Sequence, residues 1–225
     1  MQSSLEAMGD SKKLHERLEQ CYTGAVYDVM RNMGYPDQLL PNNIRPMNLQ
    51  DKIAGPVFTI AGHIDRTLDK TTSLLKWCEM LSKAPSGHVL ICQPNDDTVA
   101  HMGELSAETL VYKGVRGYIV DGGCRDSAFI ENIGFPVYCS YFTPRDVVAT
   151  WCTTEMGASI VIGKVTIYTG DYVLADRDGI IIIPKAIVHE VVEQTEEVLK
   201  TENLLRKAIL SGVDPVDAYL EFRKF

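Results

Sequence analysis

The sequence predicts an α/β protein in which helices flank a mixed sheet, and three observations carry that expectation. Between residues 88 and 141, short apolar runs of strand length alternate with helical patterns, as in βαβ units with a parallel portion of sheet. After residue 160, strand-like runs follow one another closely, separated by Gly-Asp and Asp-Gly turns that favour antiparallel pairing. The chain has 225 residues, 45% of them apolar and 23% charged, an ordinary globular composition with enough length for one core.

The elements follow in order. Residues 11–33 carry Leu14, Leu18, Cys21, Tyr22, Ala25, Val26, Val29 and Met30 at helical spacing, predicting one helix or two short ones. Gly34-Tyr35-Pro36 stops them. Ile53 to Ile64 is a strand or hairpin opened by Gly55-Pro56. Residues 69–83 are helical and end before the turn Pro85-Ser86-Gly87. His88 to Gln93 is a short apolar strand. Gly103 to Lys113 is a helix, Gly117 to Asp121 a buried strand, Ser127 to Ile133 a helix and Pro136 to Tyr141 a strand. Val161 to Ile167, Tyr172 to Ala175 and Ile180 to Ile183 are strands. Lys185 to about Leu210 is a long amphipathic helix, with a last helix after Asp214-Pro215. No repeat or low-complexity linker interrupts this order. Residues 1–10 are expected to be a loose tail and 11–225 a single domain.

The net charge of −8 and the pI of about 5.1 argue against a protein that grips nucleic-acid phosphates or an anionic membrane. They leave room for an anionic small substrate, because one placed arginine outweighs the global field locally. Six cysteines stand at irregular spacings with no CxxC pair. They read as reduced, mostly buried thiols rather than a zinc cluster. The first residues lack the apolar stretch of a signal peptide, and no window is apolar enough to span a bilayer. A soluble cytoplasmic protein is the expectation.

The segment richest in chemistry is Gly117-Tyr-Ile-Val-Asp-Gly-Gly-Cys-Arg-Asp126. A buried strand ends at Asp121, two glycines permit unusual torsions and close approach, and Arg125 and Asp126 open a helix. Ligands of open α/β sheets bind beyond the carboxyl ends of strands. Arginine matches a carboxylate with two bonds, and aspartate offers a hard oxygen to magnesium or manganese. An ordinary helix cap beside a surface ion pair explains the same two residues equally well. In His101-Met-Gly-Glu-Leu-Ser106, a glycine at a helix start exposes amides that favour an anion, with Glu104 in the first turn. Alone, that segment reads as a plain helix N-terminus.

Taken together, Gly103-Glu104-Leu105, then Gly114 and Gly117, Asp121-Gly122 and Arg125-Asp126 resemble the pattern of the RraA-like family. Asp28, Gly55-Pro56-Val-Phe-Thr59, Pro144-Arg145 and Gly170-Asp171 through Asp176-Arg-Asp-Gly179 extend the resemblance over residues 20 to 200. It implies a three-layer β/β/α fold of the swivelling type, assembled as homotrimers or homohexamers, with C-terminal helices packing on a neighbouring subunit. It implies a class II aldolase that cleaves 4-hydroxy-4-methyl-2-oxoglutarate or related 4-hydroxy-2-oxoacids to pyruvate and decarboxylates oxaloacetate. Asp126 would bind the divalent metal (Mg2+ or Mn2+), and Arg125 would hold the pyruvyl group. Backbone amides of Gly103, Glu104, Leu105 and Ser106 would receive the carboxylate. Glu104 stands where aldolase members carry an acidic residue that orients metal-bound water. Glu202 would come from the adjacent subunit. The family also contains inhibitors of a ribonuclease that act by protein contact without catalysis, so a binding module is the alternative.

Other chemistries find less in the residues. Lys164, between Gly163 and Val165, would be the Schiff-base candidate, but it reads as a lysine guarding an edge strand. Cys124 lies inside the motif and reads as packing. The histidines form no HxH or HxxxH pair, which argues against a histidine metal site, and His101 is placed to line the pocket mouth. No Gly-rich loop follows a first strand, so a nucleotide-like cofactor is not expected.

Overall fold

The protein was analysed as a computed structural model that describes residues 14–223; the expected tail over 1–10 lies outside them. Of the one helix or two short ones expected first, the described residues form two: a helical segment over 14–20 (α1) and Thr23–Asn32 (α2), separated at Cys21-Tyr22. The strands that follow are β1 (Arg45–Pro46), β2 (Ile53–Ile64) and β3 (Val89–Gln93). Helix α3 (Lys70–Lys83) lies between the last two, its N-terminus capped by the Asp69 carboxylate, which accepts from the Thr72 N–H. Then come α4 (Glu104–Tyr112), β4 (Gly117–Val120), β5 (Gly123–Cys124), α5 (Ser127–Ile133), β6 (Val137–Cys139) and β7 (Tyr141–Phe142). The remaining elements are β8 (Trp151–Met156), β9 (Ile160–Ile162), β10 (Val165–Ile167), β11 (Tyr172–Ala175), β12 (Ile180–Ile183), α6 (Val188–Leu210) and α7 (Pro215–Phe222).

An eight-stranded sheet organises these elements in the order β1-β6-β4-β3-β2-β11-β12, with β8 also paired to β2. The contiguous strands β2, β3, β4 and β6 are parallel, as the alternating strand and helix patterns predict. The stretch Ile53–Ile64 is a single twelve-residue strand. Its length lets one edge serve two antiparallel partners: β11 along residues 53–56 and β8 along residues 60–64.

Side-chain parity divides the interior into three cores. Leu90 and Cys92 of β3 and Tyr118 and Val120 of β4 point toward α3, α4 and α5. Their neighbours Val89, Ile91 and Ile119 point the other way, onto Ile160, Ile162, Val165 and Ile167 of the β9–β10 hairpin and onto Val173 and Ile182. The outer face of β11 and β12, with Leu174, Ile181 and Ile183, is covered by Leu14 and Leu18 of α1, Val26 and Met30 of α2, and Val188, Val191 and Val192 of α6. Strands buried on both faces read as unbroken apolar runs, which is how VLIC and IIII stand in the sequence. The result is the expected mixed sheet with flanking helices.

One expectation needs correction, and one strand was not expected. Lys164 does not sit in a strand: Val161 to Ile167 is the antiparallel β9–β10 hairpin, and Gly163-Lys164 is its two-residue turn, with Gly163 at φ 61°. Strand β8, hydrogen-bonded to the long central strand, has no counterpart in the sequence reading.

Candidate active site

Strand β4 ends at Val120, and the chain turns through Asp121 into Gly122 and Gly123. Neither glycine takes a positive φ; the requirement at both is space. A Cβ on Gly122 would lie 2.6 Å from His101 Nδ1, and one on Gly123 would lie 2.4 Å from the Tyr141 ring and 2.6 Å from the Val99 carbonyl oxygen. With both side chains absent, residues 100–102 run alongside 123–125. The His101 N–H donates to the Gly123 carbonyl at 2.7 Å, and the Arg125 N–H to the Met102 carbonyl at 3.0 Å. This zipper sets the start of α4 against Arg125 and Asp126.

The next glycine completes the approach. A Cβ on Gly103 would fall 2.7 Å from Asp126 Oδ2 and 3.1 Å from Arg125 Nε. Asp126 adopts the left-handed region at φ 54° at the head of α5, a conformation that aspartate tolerates better than most residues. Its side chain does not cap its own helix. Oδ2 instead accepts from the Glu104 N–H, the first amide of α4, at 3.1 Å. Arg125 lies between two carboxylates, with Nε 3.4 Å from Asp126 Oδ2 and Nη1 3.4 Å from Asp146 Oδ2. Pairs this long and half-exposed contribute little to stability. They orient the guanidinium while leaving its donors available.

These groups form the polar end of a cavity of about 600 Å³ between α3 and α4. Its apolar walls are Leu74, Trp77 and Leu81 of α3 with Val147 and Val148, over a floor of Ala100 and Met102. The Trp77 Nε1–H donates to Ser106 Oγ at 2.9 Å, tying the two helices across the cleft. An apolar cleft with a few convergent polar groups is the usual form of a small-molecule site.

All six sequence-predicted residues of the main constellation (Gly103, Glu104, Leu105, Ser106, Arg125 and Asp126) line this one cavity. Glu202 lies on α6, where the Tyr22 hydroxyl of the same chain donates to it. Burial, and then that carboxylate, push the Tyr22 phenol up to about 12. Asp146 is the residue that sequence reasoning missed, although it directly follows the noted Pro144-Arg145. The α3 wall was missed as well, because its Leu74, Trp77 and Leu81 spacing reads as ordinary core.

His101 does not line the mouth. It is fully buried, edge-on to the Trp151 ring at a centroid distance of 5.1 Å, with Nε2 3.3 Å from Asp96 Oδ2. Burial lowers its pKa to about 4 despite that carboxylate. Cys124 is packing, as expected; it is fully buried and its thiol is pushed well up by that burial. All six cysteines are free and only Cys78 is exposed.

The donor set at Asp126 fits a hard, well-hydrated cation. One carboxylate with an adjoining open cavity suits Mg2+ or Mn2+, which keep water and take substrate oxygens as ligands. It does not suit an ion that needs an all-protein cage. Away from this cavity, possible ligand atoms of His63, Asp65 and Cys152 lie within 4.8 Å of one another.

Fold and site together define an α/β protein whose polar site lies beyond the carboxyl ends of parallel strands, at a helix N-terminus. The sequence profile of the RraA-like family, described as Aldolase/RraA, matches residues 23–182, and the chain belongs to that family. It is 28% identical over 185 residues to a Halalkalibacterium halodurans protein named "Putative 4-hydroxy-4-methyl-2-oxoglutarate aldolase", covering 81% of this chain and 83% of that one. It is 29% identical over 202 residues to Protein DlpA of Legionella pneumophila, covering 88% of this chain but spanning only 32% of DlpA. Among solved structures, it is similar to Streptomyces coelicolor RraAS2, described as an unusual member of the RNase ES inhibitor RraA protein family. The TM-score is 0.76 at 22% identity, over 86% of this chain and 96% of that one, which establishes a shared fold. Among the described residues no helix is long and apolar enough to cross a membrane.

Proposed function

We propose that this chain is a divalent-metal-dependent class II pyruvate aldolase that cleaves 4-hydroxy-4-methyl-2-oxoglutarate or a related 4-hydroxy-2-oxoacid to pyruvate and a second oxoacid, and that it also decarboxylates oxaloacetate. The observation that carries this reading is the convergence of Arg125, Asp126 and the first turn of α4 on the polar end of one cavity.

Asp126 would hold the cation, Mg2+ or Mn2+, which when bound supplies concentrated positive charge against the negative charge that develops on the 2-oxo group. Helix geometry leaves the amides of Leu105 and Ser106 without intrahelical acceptors. With the helix dipole they receive the substrate carboxylate. Glu104, at the mouth of the same cavity, orients the water that takes the proton of the 4-hydroxyl. The C3–C4 bond then breaks, its electron pair enters the pyruvate enolate, and C3 is protonated. The Arg125 guanidinium stabilises the enolate oxygen, a contact worth about 3–4 kcal/mol of barrier. Leu74, Trp77 and Val148 exclude water around the reacting carbons. Lys113, the lysine on the cavity wall, donates to the Ser82 carbonyl at 2.9 Å and lacks the apolar enclosure of a Schiff-base amine.

The test is pyruvate release from 4-hydroxy-4-methyl-2-oxoglutarate or oxaloacetate, coupled to lactate dehydrogenase, with magnesium and then with EDTA. Release that EDTA abolishes is expected. Release that survives EDTA would overturn the metal mechanism in favour of a lysine. Inertness toward every oxoacid, with tight binding to a ribonuclease, would replace the enzyme with a regulator.

A further inference from the structure

We propose that His63, Asp65 and Cys152 form a second metal site, for a borderline-soft divalent ion of the zinc type, independent of the Arg125–Asp126 site. The possible ligand atoms of the three residues all lie within 4.8 Å of one another, and none of the three lines the main cavity.

The sheet builds this cluster. In the antiparallel pairing of β2 with β8, His63 stands opposite Cys152 and Ile64 opposite Trp151. Directly opposed residues project to the same face, and successive residues to opposite faces. Trp151 therefore enters the core, 6.0 Å from the Trp77 ring, while His63 and Cys152 share the other face. A register shift between Ala61 and Gly62 sets this phase, as bulges do where a side chain must be re-aimed. The Asn95 amide holds the bulge by donating to the Gly62 carbonyl at 2.9 Å.

Asp65 is held equally firmly. Its N–H donates to the Thr150 carbonyl at 2.7 Å, closing the end of the β2–β8 ladder. The Thr67 hydroxyl and N–H donate to Oδ1 at 2.6 and 2.9 Å, leaving Oδ2 to serve as ligand.

The donor set selects the ion. Thiolate, imidazole and carboxylate together favour zinc-type ions, whereas magnesium takes oxygen ligands. Tetrahedral coordination requires donors roughly 3.5 Å apart, so the cluster must draw in by about 1 Å. The exposed His63 side chain has the freedom to do this. Cys152 is buried and Asp65 half-buried, which leaves one open side and a fourth position for water. Binding converts the Cys152 thiol to a thiolate ligand and releases its proton to solvent.

Cobalt reports directly on the thiolate. The full-length protein, stripped with EDTA and titrated with CoCl2, is expected to develop a thiolate-to-cobalt charge-transfer band in the near ultraviolet at one equivalent. ZnCl2 should bleach it and excess MgCl2 should not. Cys152→Ser is expected to remove the band, and His63→Ala to weaken zinc binding by more than the roughly 10–100-fold typical of losing an outer-shell partner. Circular dichroism of the metal-free variants should match the parent, since each change is at the edge of one strand pair. Absence of the band in the parent protein, or equal zinc affinity in parent and Cys152→Ser, overturns the site. Asp126→Ala should leave the cobalt spectrum intact, so the two sites fail or stand separately.

Discussion

Asp126 has two separable duties, because its Oδ2 accepts from the Glu104 N–H while the carboxylate also faces the cavity. Losing a helix-capping acceptor costs about 1 kcal/mol. Asp126→Ala is therefore expected to abolish oxoacid turnover and to lower unfolding stability by about that amount in urea titration. Asp126→Asn keeps an acceptor but lacks the charge, and should restore stability without restoring turnover; a fully active Asn variant would remove the metal-ligand role. Arg125→Ala should likewise abolish turnover, with little change in stability because its ion pairs are long and exposed. His101 gives a pH signature of a different kind. Its folded pKa is about 4 against an ordinary 6.5, so between those values the unfolded chain binds more protons than the folded one. Stability is then unaffected above pH 6.5 and falls as pH drops toward 4, by about 3 kcal/mol at most. His101→Gln should flatten that limb of the stability–pH profile, and an unchanged limb would point to other groups.

Strand β8 shows how an element is made by its neighbours. Gly62 of β2 lies under it, and a Cβ there would come within 2.0 Å of the Trp151 indole and 2.5 Å of the Cys152 carbonyl oxygen. Overpacking of this kind costs about 1–3 kcal/mol, so Gly62→Ala is expected to lower Tm by several degrees; an unchanged Tm would mean that the two strands slide apart freely. The sequence WCTTEM hides this strand, because the register shift leaves Thr154 without a partner opposite it and breaks the alternation by which strands are recognised. By contrast VLIC, GYIV and IIII were legible, since burial on both faces leaves a continuous apolar run. The site was legible to a lesser degree. Gly103-Glu104 and Arg125-Asp126 each read alone as an ordinary helix start, and only the resemblance of the combined motifs grouped them as a candidate site. Asp146, the α3 wall and the His63–Cys152 pairing come together only through the sheet register, which no spacing in the chain encodes. His101 was misplaced for the same reason: its burial is set by the zipper to Gly122 and Gly123, not by its own neighbours.

At the scale of the molecule, the two helices next to the cavity carry exposed apolar side chains. Leu105 and Tyr112, one heptad apart on the outer face of α4, are 77% and 93% exposed, and Phe129 of the adjacent α5 is 56% exposed. Exposed apolar side chains grouped on one face mark association surfaces, and the family resemblance expects a trimer or hexamer. Sedimentation is therefore expected to give a multiple of 25.0 kDa, and Tyr112→Glu to shift it toward the single-chain mass. A parent protein that sediments as one chain would remove the expectation. If Glu202 acts on a neighbour's site, mixing makes a sharper test. Asp126→Ala and Glu202→Ala proteins, each inactive alone, should recover part of the turnover when dissociated and reassembled together, because some interfaces then pair an intact Asp126 with an intact Glu202 from the other chain. If Glu202→Ala alone keeps full turnover, or the mixture stays as inactive as its parts, then Glu202 serves its own chain, as the acceptor of the Tyr22 hydroxyl that ties α6 to the start of α2.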